Sequence, residues 1–385
     1  MLANNNEAII NKLAKNSVKT NKKQYAILFF TIILSAFMLF CVFTIGMTYL
    51  DSSRLQNTRL NGAEYDILTM NGFTSEQLNT LRQNENIRSV GIESYAGFIQ
   101  STEYDKTVEI GLLWCDEVFW DNLMSPARTK LDGHYPQNKN ELMVTKDILK
   151  TCGNENLSVG DSLILTYENN TGVYTDEFII SGIWDGYGDT SAGFVSKAFY
   201  DETGYDLKND GILCIKLNRN YVFPATIQSI EKSLDFSDRQ IFAPTGYIEN
   251  SFKLLLGICG LALVICLSAY LLIYNILYLS VSGKIRYYGL LQSLGMTKKQ
   301  LVHFIIKQMI LVGILGIFTL TIGSVITYIC FESMNYMEIP FNVPVIPLIS
   351  AIILVMLICM ITPLLSYKKL AGNRSIVERL RDYEY

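Results

Sequence analysis

The chain has 385 residues, half of them apolar and only 18% charged, against about a quarter charged in an ordinary soluble protein, so water alone is a poor solvent for it. Its formal net charge of −4 excludes a generally basic nucleic-acid binder, and two histidines, His134 and His303, leave little material for a histidine-based metal centre or base. Eight cysteines scattered over this length do not make the disulfide scaffold of a small secreted domain.

In chain order, residues 1–24 read as an amphipathic helix at a cytoplasmic membrane surface, with Ile9, Ile10, Leu13 and Val18 against Lys12, Lys15 and Lys19. Positions 26–47 carry no charge. That block exceeds the ~7–15 residues of a signal-peptide core and no clean small-x-small site follows it, so 25–49 is expected to be a retained span. Residues 50–252 form a domain-sized insertion. Three more uncharged blocks follow at 254–283, 308–331 and 341–367, giving expected spans at 253–282, 304–331 and 342–367. A linker lies at 283–303, a short loop at 332–341 and a tail at 368–385. About 20 apolar residues cross a bilayer as a helix, and a helix satisfies its own backbone there. Soluble helices of this length carry a polar face, which these blocks lack. The expected fold class is therefore a membrane protein of four transmembrane α-helices, with a large α+β extracytoplasmic domain inserted between helices 1 and 2.

Basic residues set the orientation. Lys12, Lys15, Lys19, Lys22 and Lys23 precede the first block. Lys284, Arg286, Lys298, Lys299 and Lys307 follow the second, and Lys368, Lys369, Arg374, Arg379 and Arg381 follow the fourth, whereas the loop at 332–341 has only Glu332 and Glu338. The positive-inside rule puts both termini and the linker in the cytoplasm, in a multi-pass plasma-membrane protein. Residues 51–253, with 17 bases and 30 acids, then lie outside.

Within that outer domain the patterning predicts strands at 63–70, 108–114, 141–144, 163–167, 177–184 and 211–217. It predicts helices at 74–84, opened by a Thr74/Gln77 capping box, at 145–151 and at 226–234. Such interleaving points to α+β, with two lobes as one arrangement. No G-x-S-x-G, H-E-x-x-H or C-x-x-C occurs. The acidity reads first as a solvated surface, His134 as a turn residue, and Cys115, Cys152 and Cys214 as allowing one disulfide among them. The spans hold no central Asp, Glu, Arg or His, which argues against an ion-coupled transporter. No phosphate-binding G-x-x-x-x-G-K-[ST] loop exists either. Any ATP used must be bound by another polypeptide.

The linker reads KIRYYGLLQSLGMTKKQL over 284–301. Leu290, Leu291 and Leu294 with Gln292 and Ser293 form a short amphipathic helix bracketed by Gly289 and Gly295, the latter a natural helix stop. Such a helix either lies in the lipid interface or fits a partner's groove. The run closely resembles the cytoplasmic signature of FtsX/MacB-type ABC transporter permeases: a basic residue, a G-L-L-x-x-L-G core, then two bases and Gln. The tail at 373–381, NRSIVERLR, is similar to the family's ending, with Ser375-Ile376 where Ser-Pro or Asp-Pro is frequent. LDGHYP at 131–136, then Asn140-Glu141, Gly160-Asp161 and EFIISGI at 177–183 resemble the "G-x-x-P … N-E … G-D" run of MacB-like outer domains.

The resemblance implies a non-enzymatic permease subunit of a mechanotransmitting type. It would pair as a homodimer or with a related subunit, dock on a separate ABC ATPase, and sit in the lipid bilayer with a possible extracytoplasmic adaptor; no nucleic acid is involved. ATP and magnesium would sit on the ATPase, with no cofactor in this chain. Arg286, Gly289, Leu290, Leu291, Leu294, Gly295, Lys298 and Lys299 would contact the ATPase, with Arg379, Leu380 and Arg381 as a secondary cytoplasmic contact. The function implied is export or extraction of peptides, antimicrobial ones among them, or of other amphipathic cargo. The alternative is a non-transporting regulator that activates a cell-wall hydrolase or signals to a sensor. A membrane-anchored extracellular enzyme or binding module is the third reading.

Overall fold

The structure is a computed structural model, and it describes residues 7–100, 110–187, 192–282 and 284–333, with positions 349, 352, 353 and 361. Its contacts divide into two units, one of residues Leu50–Leu255 and one of Met1–Tyr49 with Leu256–Tyr385. The fourth expected span, the loop before it and the tail with Arg379, Leu380 and Arg381 lie outside the described residues, the four isolated positions excepted.

In the second of these units, α1 is Glu7–Thr20 and α2 is Lys22–Asn61, which continues beyond position 49. Helix α8 is Gly246–Ser282, α9 Ile285–Ser293 and α10 Lys298–Ser333. Among the described residues two helices are long and apolar enough to cross a membrane, over Lys22–Asn61 and Gly246–Ile276. The third expected span falls on α10. Tyr25, Leu28, Ile32, Leu39 and Phe40 of α2 pack with Ala262 and Ile273 of α8. Large side chains elsewhere on both helices, among them Phe30 and Leu263, stay exposed, as lipid-facing positions require.

The other unit is built on one sheet of ten strands among the described residues, in the order β10-β1-β9-β2-β3-β8-β5-β7-β4, with β6 paired to β2 and β7. The strands are β1 Ile67–Met70, β2 Ile87–Ile99, β3 Ile110–Cys115, β4 Arg128–Gly133, β5 Glu141–Thr145, β6 Ser162–Asn169, β7 Gly172–Gly186, β8 Ala192–Val195, β9 Ile212–Leu217 and β10 Ile241–Pro244. Only β3·β8 and β5·β7 run parallel. Short helices connect them: α3 Ser75–Gln83, α4 Lys146–Thr151, α5 Lys197–Tyr200, α6 Leu207–Asp210 and α7 Pro224–Lys232. One continuous sheet thus replaces the two-lobed alternative. The reason is β2, which at 13 residues is long enough to pair with β9, β3 and β6 in turn.

Period-two alternation gives the sheet two buried faces. Val90, Ile92, Leu112, Trp114, Leu213 and Ile215 belong to one core. Cys115, Cys214, Met143, Trp184 and Phe194 belong to the other, under the π-helical turn Val118–Leu123 that supplies Phe119, Trp120 and Leu123. The predicted capping box at α3 is present: Gln77 N–H donates to Thr74 Oγ1 at 3.1 Å, and Thr74 N–H to Gln77 Oε1 at 2.9 Å. Cys115, Cys152 and Cys214 are free thiols.

Asp66 ties together the two ends of this unit. Its backbone N–H donates to Ile215 O, and its carbonyl accepts from Thr245 N–H, both at 2.8 Å. Its Oδ2 accepts from Leu217 N–H at 2.9 Å and lies 3.3 Å from Lys216 Nζ, which also meets Glu64 at 3.1 Å. Lys216 and Asp66 are buried, so each charge depends on the other for compensation.

Candidate functional site

The linker motif is two helix ends set back to back. Helix α9 stops at Leu294, and Gly295 takes φ +101°, a conformation that a Cβ disfavours. Met296 N–H then donates to Leu291 O at 3.1 Å and Gly295 N–H to Gln292 O at 3.0 Å, the two bonds of a Schellman stop. Two residues on, Gln300 N–H donates to Thr297 Oγ1 at 3.2 Å and Thr297 N–H to Gln300 Oε1 at 3.0 Å, a capping box that starts α10. The signature thus encodes a fixed bend between α9 and α10.

That bend is held on one side only. Tyr288, Leu291 and Met296 pack with Ile10, Leu13 and Ala14 of α1 and Leu301, Phe304 and Ile305 of α10. Burial pushes the Tyr288 hydroxyl pKa up, and Glu7 of α1 lies 3.6 Å from His303 and 3.7 Å from Lys307 of α10. Helix α1, expected on the membrane surface, uses its apolar face on α9 and α10. The opposite side of α9 is bare: Tyr287 is 39% exposed, Leu290 49% and Leu294 84%. Positions 287, 290 and 294 follow helical spacing, so these side chains form one ridge.

The eight described residues expected to contact an ATPase therefore separate. Arg286, Leu290, Leu294, Gly295, Lys298 and Lys299 are exposed, Gly289 is buried and Leu291 half-buried. Leu291 packs behind the ridge on the cluster shared with α1 and α10. Tyr287 joins the exposed set, and its spacing with Leu290 and Leu294 was the available signal.

The Leu50–Leu255 unit has clefts but no catalytic constellation among its described residues. A polar recess of about 370 Å³ is lined by Asn71, Gln77, Lys208, Asp235, Arg239 and Gln240. Another, of about 330 Å³, has Glu64, Arg88, Asp121 and Lys216. Among the described residues no group of three or more His, Cys, Asp or Glu could hold a metal ion. The motif fragments in this unit are turn chemistry. Gly133 takes φ +87°, and a Cβ there would lie 2.2 Å from Ser181 O. Glu141 accepts the Gln137 and Asn138 N–H groups at 2.7 and 3.0 Å. Partial burial raises its pKa, but those bonds outweigh it and hold the carboxyl below its ordinary range. Asp161 accepts Ser158 N–H at 2.7 Å. His134 is exposed.

Residues 259–373 match the sequence profile of the family described as FtsX-like permease C-terminal. The chain is similar to the periplasmic region of MacB from Actinobacillus actinomycetemcomitans at 12% identity, over 50% of this chain and 95% of that one, with a TM-score of 0.34. It is also similar to the extracellular domain of the ABC-type transporter YknZ from Gram-positive bacteria, at 12% identity over 46% and 98%, with a TM-score of 0.31. No curated protein sequence matches the chain. The sequence likeness to FtsX-like permeases is thus confined to residues 259–373, under a third of the chain.

Proposed function

We propose that this chain is the membrane-spanning permease subunit of an ABC system, driven by a separate ATPase that docks on α9. The single observation that carries this reading is the bare Tyr287, Leu290 and Leu294 ridge on a helix whose back is fixed. Three large apolar side chains are otherwise unfavourable in water. Arg286, Lys298 and Lys299 flank the ridge and suit a groove with an acidic rim. The family match over 259–373 supports an ATPase as the partner.

In this reading both termini and the linker are cytoplasmic and residues 51–253 are outside. ATP binding closes a pair of ATPases under a pair of permease chains. Helix α9 passes the motion to α8, which continues without interruption from Gly246 to Ser282, and so to the outer unit. Coupling of this kind requires two states that ATP and the outer unit both bias. The −13 balance of residues 51–253, from 17 bases and 30 acids, favours a cationic amphipathic peptide as cargo.

Affinity purification of the tagged chain from membranes in mild detergent tests the reading. An ABC ATPase should be retained, and protease added to intact cells should cut within 51–253 while sparing 284–299. Recovery of the chain with no ATPase, or cleavage of the linker from outside, contradicts it.

A further inference from the structure

Lys284, immediately before α9, is the one basic residue of the linker whose charge is hidden. Its Nζ is shielded from solvent and has no hydrogen-bond acceptor among the described residues. It lies over the Tyr25 ring, 5.2 Å from the centroid. A ring face attracts the charge but gives an ammonium's three N–H groups no lone pair. Burial pushes its pKa down. The other linker bases differ: Arg286, Lys298 and Lys299 are exposed, and Lys307 lies 3.7 Å from Glu7.

Among the described residues no carboxylate is paired with it. The Tyr25 hydroxyl donates to Gln308 Oε1 at 2.6 Å. No side chain caps the N-terminus of α9, whose first N–H groups have no partner within the helix. Between Lys253 and Glu332 the sequence contains no acid, and Glu7 is engaged with His303 and Lys307. What this place lacks is an anionic oxygen.

We infer that Lys284 is a headgroup site for an anionic phospholipid, its side chain turning off the Tyr25 ring so that the lipid phosphate accepts from Nζ at the start of α9. The position favours lipid over a free anion. Lys284 directly follows a helix long and apolar enough to cross a bilayer, and the basic linker marks the leaflet richest in anionic lipid. The lipid would then set the angle at which α9 leaves α8. The inference rests on the membrane placement of α2 and α8 and does not depend on the ATPase.

The test uses the full chain in a neutral detergent, with phosphatidylglycerol, phosphatidylcholine or inorganic phosphate added, read by native mass spectrometry and thermal unfolding. Wild type should retain phosphatidylglycerol and gain about 2–4 °C at saturation, and neither phosphatidylcholine nor phosphate should do this. Lys284→Met should lose both effects and, without lipid, melt no lower than wild type. Should that variant fail to fold, Lys284→Gln against wild type decides on the same mass spectrum. Full retention of phosphatidylglycerol by the variant overturns the site, as does an equal shift with phosphate alone. A lower lipid-free melting temperature for Lys284→Met also overturns it, because the chain itself, its tail carboxylates included, then supplies the acceptor. Solubility of the chain without detergent removes the membrane placement instead, a separate outcome.

Discussion

Glu93 makes stability of the Leu50–Leu255 unit depend on pH in a direction opposite to that of an ordinary salt-bridged carboxylate. It lies on β2 opposite Cys115 of β3 and Ile212 of β9, on the face that carries Cys115 and Cys214. Among the described residues no hydrogen bond or ion pair compensates it, and burial pushes its pKa from 4.5 up to about 7. The folded chain therefore holds this proton more tightly than the unfolded chain does. The associated stability is complete below about pH 4.5 and is lost as pH rises through about 7. A displacement of that size corresponds to about 3 kcal/mol as a ceiling, and solvent reaching the half-buried side chain reduces the expected figure to about 1–2 kcal/mol. Glu93→Gln keeps the shape and removes the charge. It should raise the melting temperature at pH 8.5 by about 2–4 °C, leave it almost unchanged at pH 5, and flatten the profile between. Tryptophan fluorescence of the full chain reads this selectively, because all three tryptophans, Trp114, Trp120 and Trp184, lie within Leu50–Leu255. A wild type equally stable at pH 5.5 and 8.5, or a Gln variant no more stable than wild type at pH 8.5, refutes the reasoning.

Asp66→Ala strands Lys216 with Glu64 and removes the acceptor of Leu217 N–H, so it should cost about 3–5 kcal/mol in the same fluorescence assay. Gly133→Ala forces a Cβ to 2.2 Å from Ser181 O at φ +87° and should cost about 2 kcal/mol or more. Leu294→Glu changes a side chain that is 84% exposed. It should leave the melting temperature within about 0.5 kcal/mol of wild type while weakening ATPase binding at least about tenfold, measured by titration of the purified subunits.

Much of this was legible in the sequence where a signal was local. The Thr74 and Gln77 capping box, the Gly295 stop and the uncharged blocks each depend on residues a few positions apart. The start of α10 is equally legible in the Thr-x-x-Gln spacing of Thr297 and Gln300. Strand β2 was missed because its apolar positions are interrupted by Arg88, Glu93 and the bulge between Tyr95 and Gly97, which break strict alternation. Strands β4, β8 and β10 are short or polar and owe their pairing to partners distant in sequence. Amphipathicity marks an apolar face without saying which neighbour covers it; Leu291, among the contacts the resemblance implies, packs with residues of α1 and α10. The orphaned ammonium of Lys284 could not be read at all, since sequence shows a charge and not its surroundings.

The central claim is that nucleotide bound by another subunit moves the outer unit of this chain through α9. Hydrogen exchange over residues 50–255 measures it most directly, in the ATPase complex in nanodiscs with ATP and without. The account predicts that ATP changes exchange in that unit for wild type and not for Leu294→Glu. Identical exchange in both nucleotide states, or ATP turnover by the isolated chain, contradicts it.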